Sequence, residues 1–501
     1  TSGPCTAERR GILETFKAEI EKQGELGSNQ GFTIDAVEGD DTDLETPSIP
    51  DSPENPQEPK NTPQKDDKIN SNKEIESIRN KFRTYYSRIL FFSFLSKSNS
   101  FYFMTRSLHP RLVQHIPVEV HLIGEQSAVQ RAEAADGVSF NSYLLTDEKT
   151  VLFDTVDNAV RTTFRENVTH ALAGRTPDYL VVHHMEPDHA AELADLAKDY
   201  PEAQFLCSAM AKTMVGQFFG PEVAGRITVI KEGDTLCTGR HTLRFVAAPM
   251  VHWPEVMMTY DETDKLLLSA DAFGCFGALN GALFADEVDF DRDYLDEARR
   301  YYTNIVGKYG PQVQTVLQKA GTLDIRMLLP LHGFVWRKDL GYFLEKYDLW
   351  SRCEPEEKAV VVLYGSMYGN TASAANALAA KVAAKGVKVA VHDLSCIDNS
   401  EAVAECWRAS TIVLAAPTYN GGMYPSISRF IEDMKALAVQ NRTFALAENG
   451  TWAPVTARLM RKELETLKNC SILDTTLTIR SALSAADEAA LDDFAAAVAN
   501  A

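Results

Sequence analysis

Past residue 357 the sequence settles into a regular alternation of apolar runs and helical stretches, a pattern that few folds can absorb. "AVVVLYG" at 359–365 is apolar on both of its alternating faces, as strands covered on both sides are. "TASAANALAAKVAAKG" at 371–386 is Ala-rich and ends on Gly386, where a helix C-cap is expected. "VKVAVHDL" (387–394), "STIVLAAPTYNGG" (410–422) and "RTFALAENGTW" (442–452) supply further strands. Strand–helix–strand repetition of this kind predicts a small parallel sheet with helices on both faces.

Upstream the pattern differs. Between about 118 and 349, short apolar runs such as "YLVVH", "HTLRFVAAP", "KLLLSA" and "RMLLPLH" alternate with turns and helical stretches. "GDTLCTGRHTLRF" at 233–245 reads as an antiparallel hairpin. The mixture predicts two sheets sandwiched between helices, closed by the charged, Pro-containing link at 353–357. The expected domains are therefore 113–352 and 357–501, preceded by an extension over 1–112.

That extension contains a charged stretch with helical character at 6–23 and a Pro-, Asp- and Ser-rich segment at 24–72. The latter has too few apolar residues to balance its ordering entropy, which predicts disorder. A basic, aromatic stretch up to Met104 is open to three readings: a surface helix, a targeting piece, or an extension of no catalytic relevance before an enzyme that opens at Met104. The last is the preferred one.

The net charge of −20 over 501 residues argues against affinity for nucleic acid or an anionic membrane. No apolar run reaches the roughly 18–20 residues of a membrane span. The eight cysteines include no C-x-x-C pair, so no rubredoxin or zinc ribbon is expected, and scattered single cysteines suit a reducing, cytoplasmic setting.

The strongest chemical signal is "HHMEPDH" at 183–189, directly after an apolar run. His252, Asp271 and His332 each follow an apolar segment too, as residues at strand ends do when they converge on one crevice. The spacing His184, Glu186, Asp188, His189 suits a tight loop in which successive residues serve alternate metals. Four imidazoles and three carboxylates without a thiolate suit non-haem iron or zinc. His183, adjacent to the motif, is expected to turn away from it.

The pattern H-x-E-x-D-H, with "VHWPE", "SADAFG" and "PLHGFVWR", resembles the metallo-β-lactamase-like domain of flavodiiron proteins. Its separations of 62, 18 and 60 residues between His189, His252, Asp271 and His332 are similar to that family's. The resemblance implies an αββα sandwich in which one iron takes His184, Glu186 and His252. The other takes Asp188, His189 and His332, and Asp271 bridges the two. It also points to Tyr301 or Tyr302 as a tyrosine beside the substrate pocket. Related zinc hydrolases carry His in place of Glu186, so Glu186 favours redox chemistry.

In the C-terminal domain the loop at 365–371 offers Ser366, Met367, Tyr368, Gly369, Asn370 and Thr371 at a helix N-terminus, a setting that binds phosphate without a Lys. Without G-K-[ST] a nucleoside triphosphate is disfavoured. Pro417, Thr418, Tyr419, Asn420 and Gly421, then Asn449, Gly450, Thr451 and Trp452, follow the next strand ends, with Tyr419 and Trp452 placed to stack on a flat ring. The three loops look like those of a flavodoxin-like, doubly wound parallel α/β domain that holds FMN.

A di-iron site and FMN in one chain imply four-electron reduction of O2 to water. Reduction of NO to nitrous oxide at the same site is the alternative. A binuclear zinc hydrolase fused to a flavodoxin-like module, and a non-catalytic redox sensor, are rivals of other classes. The family's pattern also implies a head-to-tail homodimer or dimer of dimers, and a separate electron donor of the rubredoxin or flavin/NAD(P)H-dependent reductase type.

Overall fold

A computed structural model describes the backbone of Ser100–Met104 and Gln126–Ser127, and residues 137–501 apart from Asn280. The helix expected at 6–23 and the segment 24–72 lie outside the described residues.

Side-chain alternation along short strands decides the layering. The first sheet contains β1 (Ser100–Met104), β2 (Ser142–Thr146), β3 (Thr150–Phe153), β4 (Tyr179–Val181), β5 (Gln204–Cys207) and β6 (Ile227–Val229), hydrogen-bonded in that order. Because successive residues face opposite ways, Tyr143, Leu145, Val151, Phe153 and Val181 enter a core shared with the second sheet. Leu144, Leu152 and Leu180 face the other way, onto helices Arg161–Leu172, Leu193–Asp199 and Ala209–Phe219.

The second sheet comprises β7 (Thr235–Cys237), β8 (Thr242–Ala247), β9 (Met257–Asp261), β10 (Leu266–Leu268) and β11 (Met327–Leu329). β7 and β8 form the expected antiparallel hairpin, and β10 pairs with β11 in parallel. Helices outside both sheets complete an αββα sandwich.

One reading needs correction. The aromatic stretch read as a candidate surface helix ends in β1, which pairs antiparallel with β2 and forms the edge of the first sheet. "SFYFM" has the aromatic content that strands favour, and β2 offered an open edge to pair with.

The third sheet is wholly parallel. Its strands β12 (Glu357–Tyr364), β13 (Lys388–Asp393), β14 (Ala409–Pro417), β15 (Thr443–Asn449) and β16 (Ser471–Ile479) lie in the order β13-β12-β14-β15-β16. Val360 and Val362 face one helical layer and Val361 and Leu363 the other. The strand order reverses beside β12, and in open parallel sheets ligands bind outside the carboxyl ends at such a point.

Both sandwich and parallel sheet belong to one compact unit, Leu95–Ala501. Trp350 and Trp407 are buried at their junction, where the Trp407 indole N–H donates to the Trp350 carbonyl at 3.1 Å. Glu356, in the link, accepts from Arg299, from Lys346 Nζ at 2.9 Å and from Trp350 Nε1 at 2.8 Å. The buried Arg442 guanidinium donates to the carbonyls of Cys353, Cys406 and Trp407. Polar backbone that the link would otherwise bury unpaired is thereby satisfied.

Candidate active site

Three of the four ligand-bearing segments start where a strand stops: His184 after β4, Asp271 after β10 and His332 after β11. His252 comes from the loop between β8 and β9. The motif 183–189 does not form the uniform loop expected. His184 and Glu186 are outside helix, and a single helical turn, Pro187–Ala190, carries Asp188 and His189. Proline at the first helical position suits that start, since it has no N–H to leave unpaired. The turn splits the motif into two pairs rather than an alternation.

Those pairs define two groups of ligand atoms. In one, His252 Nε2 lies 2.9 Å from Glu186 Oε2 and 3.1 Å from Asp271 Oδ2, and His184 Nε2 lies 3.2 Å from that same Asp271 oxygen. In the other, His189 Nε2 lies 3.0 Å from His332 Nε2, 3.6 Å from Asp188 Oδ2 and 3.2 Å from Asp271 Oδ1. Each group holds two imidazoles and one carboxylate of its own, and Asp271 turns one oxygen to each.

Second partners orient the rings. His184 Nδ1 is 2.8 Å from Glu255 Oε1, and His332 Nδ1 is 2.6 Å from the Ser139 carbonyl. With Nδ1–H donated there, each Nε2 lone pair faces the cluster. Asn141 secures the His332 loop by donating to the carbonyls of Pro330 and Gly333, both at 2.9 Å. Gly333 has φ +78°, and a Cβ there would sit 2.7 Å from Cys275 Cβ, so no other residue fits. His183 turns away as expected, to Asp154 and Thr259.

The electrostatics ask for cations. Burial opposes charge on His184, but Asp271, Glu186 and Glu255 outweigh it and raise the imidazole well above its ordinary value. His252 is raised to about 9 on the same balance. Charged in this way, His184 and His252 would face each other at 3.4 Å. Asp188 Oδ1 and Asp271 Oδ1 are buried with no hydrogen-bond partner. Two divalent cations would relieve the repulsion and use these oxygens, so the residues present fit the metal pair.

A cavity of about 50 Å³ adjoins the cluster, lined by Glu186, Asp188, His252, Asp271 and His332 together with Val138, Phe140, Phe276, Ile305 and Tyr301. One water needs roughly 10–15 Å³ measured this way, so the space suits molecules of two or three atoms. Of the two candidate tyrosines only Tyr301 lines it, with its hydroxyl donated to the Asp271 carbonyl at 3.1 Å. Burial, then Asp271, push this phenol well above its ordinary value, so it stays protonated. Tyr302 points into the core against Tyr347 and Trp350, and its hydroxyl has no partner.

At the carboxyl ends of the third sheet, Met367, Tyr368, Tyr419 and Trp452 are four of the six large apolar side chains that lie exposed among the described residues. Tyr368 and Trp452 are 85% and 86% exposed. A concentration of bare aromatics at a strand-order reversal is what a flat ring would cover. Gly369, at φ +82°, turns the chain into helix Asn370–Ala383, and Ser366 Oγ accepts from Ala372 N at 3.3 Å. Thr371 is buried within reach of Asn449, while Pro417 and Thr418 are tied to Thr456. Asn420 and Gly421 both have positive φ in a tight turn closed by Tyr419 and Gly422. Gly450 lies against Pro454, where a Cβ would come within 2.9 Å.

Sequence reasoning missed a fourth loop. Ser481 exchanges hydrogen bonds with Asn449 at 2.8 and 3.1 Å and meets Thr451 Oγ1 at 2.9 Å. Its position after β16 was the available signal, but that strand's polar face hid it.

Two family models match the chain: the ODP family beta lactamase over residues 138–333 and flavodoxin over 362–467. A nitric oxide reductase of Moorella thermoacetica is 30% identical over 334 residues, covering 66% of this chain and 83% of the relative. The anaerobic nitric oxide reductase flavorubredoxin of Vibrio vulnificus is 32% identical over 350 residues, covering 68% and 70%. The chain belongs to the flavodiiron protein family. Among solved structures, rubredoxin oxygen:oxidoreductase of Desulfovibrio gigas and the flavodiiron protein of Giardia intestinalis each superpose with TM-score 0.68 at 26% identity, over 73% of this chain and 91% of theirs. This flavodiiron protein is thus an oxidoreductase, and the hydrolase alternative falls away. No helix among its described residues is long and apolar enough to cross a membrane.

Proposed function

We propose that this flavodiiron protein reduces O2 to water at a di-iron centre supplied with electrons by FMN. The observation that carries the proposal is Asp271, whose two carboxylate oxygens face two matched ligand groups beside a cavity of about 50 Å³. Fully reduced, an iron pair and one FMN supply four electrons, the number that conversion of O2 to two waters consumes.

The residues divide the work. His184, Glu186 and His252 would hold one iron; Asp188, His189 and His332 the other; Asp271 would span both. Val138, Phe140, Phe276 and Ile305 make the rest of the cavity lining apolar and limit water. Tyr301 fixes the Asp271 backbone and presents a neutral phenol at the cavity wall. The FMN phosphate would sit on the loop at 365–371, and the ring against Tyr419 and Trp452. A head-to-tail homodimer would cover the exposed aromatics at the strand ends and bring flavin to a partner's irons. A separate protein would donate the electrons.

Reduction of NO is the second reading, favoured by the names of the two curated relatives at 30% and 32% identity. The same residues would serve it, and the cavity suits either diatomic. Anaerobically reduced protein exposed separately to O2 and to NO tests the choice. Faster turnover with O2 supports the proposal; turnover with NO alone overturns it in favour of the second reading.

A further inference from the structure

The two ligand groups are chemically equal, each with two imidazoles, one carboxylate and one oxygen of Asp271. Their backing is unequal. Glu255 is 2% exposed, and its Oε1 accepts from both His184 Nδ1 (2.8 Å) and Met185 N (2.9 Å), while Oε2 is buried without a partner. His332 Nδ1 instead meets the neutral carbonyl of Ser139, and His189 Nδ1 has no partner. Of the three buried imidazoles in the cluster, His184 alone is backed by an anion.

Glu255 is also held still. It shares a loop with the ligand His252; Ala248 N donates to Val256 O at 2.9 Å and Met250 N to Trp253 O at 2.7 Å. Ser208 Oγ, at the start of helix Ala209–Phe219, donates to the Glu255 carbonyl at 2.9 Å. Trp253 meets the His184 ring edge-on at 5.2 Å. A carboxylate buried at this cost persists only where its charge is used. Here it locks the His184 tautomer and makes the ring a stronger donor toward whatever Nε2 binds.

We propose that Glu255 is a positioning residue that makes the His184–Glu186–His252 half of the site hold its metal more tightly than the Asp188–His189–His332 half. The proposal rests on reading the seven side chains as ligands to two irons.

The test uses full-length protein loaded anaerobically with ferrous iron, challenged with graded chelator, with iron counted and Mössbauer spectra recorded at each step. Wild-type protein should lose its irons in two steps, the second at chelator activity 10–100-fold higher, the usual effect of such a partner. Glu255→Gln keeps an oxygen to accept from His184 Nδ1 and Met185 N and removes the charge, with an amide nitrogen in place of the unpartnered Oε2. It should merge the two steps and shift one Mössbauer doublet while leaving the other unchanged, a selectivity that general loosening of the fold would not produce. Wild-type protein that releases both irons together overturns the inference, and so does Glu255→Gln that retains two separated steps. Wild-type protein that takes up no iron pair overturns the underlying site reading instead.

Discussion

His184 Nε2 stands 3.2 Å from Oδ2 of Asp271, and the remaining oxygen of that carboxylate is turned to the second imidazole pair. Asp271 is 1% exposed, and burial alone would favour its neutral form. The charges of His189 and His184 outweigh burial and hold the carboxyl well below its usual range. Of the seven side chains, Asp271 alone sets an oxygen within 3.2 Å of an imidazole in each group.

Substitution should reveal that difference. Asp271→Ala is expected to release both irons and abolish turnover, whereas Asp188→Ala should leave one iron in place. Metal analysis of the purified variants checks both outcomes.

Iron uptake should depend on pH through His252. Burial lowers its affinity for a proton, but Asp271 and Glu186 raise its value to about 9. Below that pH the empty site carries a proton that iron must displace. Ferrous affinity is therefore expected to rise with pH toward about 9, by about tenfold per pH unit for each displaced proton. Competitive titration over that range measures the slope.

The seven side chains that meet in the cluster were legible because they lie in short motifs that linear segments display, three of those segments starting where an apolar strand stops. Their orienting partners were not. Glu255 and Ser139 act across 71 and 193 residues of chain, and neither has a sequence property that separates it from other acids and serines. That β12 to β15 form a parallel sheet could be read from apolar runs alternating with helical stretches. β16 escaped because "SILDTTLTI" is mostly exposed or half-buried at a sheet edge and its pairing with β15 shifts register. Tyr301 and Tyr302, adjacent in sequence, part company only through the backbone: one reaches the cavity and the other the core.

Those tyrosines should respond differently to loss of the hydroxyl. Tyr302→Phe removes a buried group without a partner and is expected to leave turnover unchanged and stability equal or up to about 1 kcal/mol higher. Tyr301→Phe breaks the bond to the Asp271 carbonyl and should cost about 0.5–1.5 kcal/mol. Denaturant melts of both variants make the comparison.

Glu356 should govern acid stability at the domain junction. Burial raises its carboxyl, but Arg299 and Lys346 outweigh this and bring it down to about 2, from an ordinary 4.5. A depressed value contributes stability above the unfolded value, and that contribution is lost as pH falls from about 4.5 to about 2. Glu356→Ala removes a shared partner of Arg299, Lys346 and Trp350, leaves the buried Arg299 paired with Asp296, and should cost up to about 3 kcal/mol at neutral pH, measurable by urea unfolding.

The central claim is that an iron pair and a flavin together deliver four electrons to one substrate molecule. Purified protein, reduced anaerobically and mixed with a limiting amount of O2, tests it by the ratio of electrons lost to O2 consumed. A ratio of four, with no hydrogen peroxide formed, is the expected result. Two electrons per O2 with peroxide released in equal amount, or a protein that carries zinc in place of iron, would contradict it.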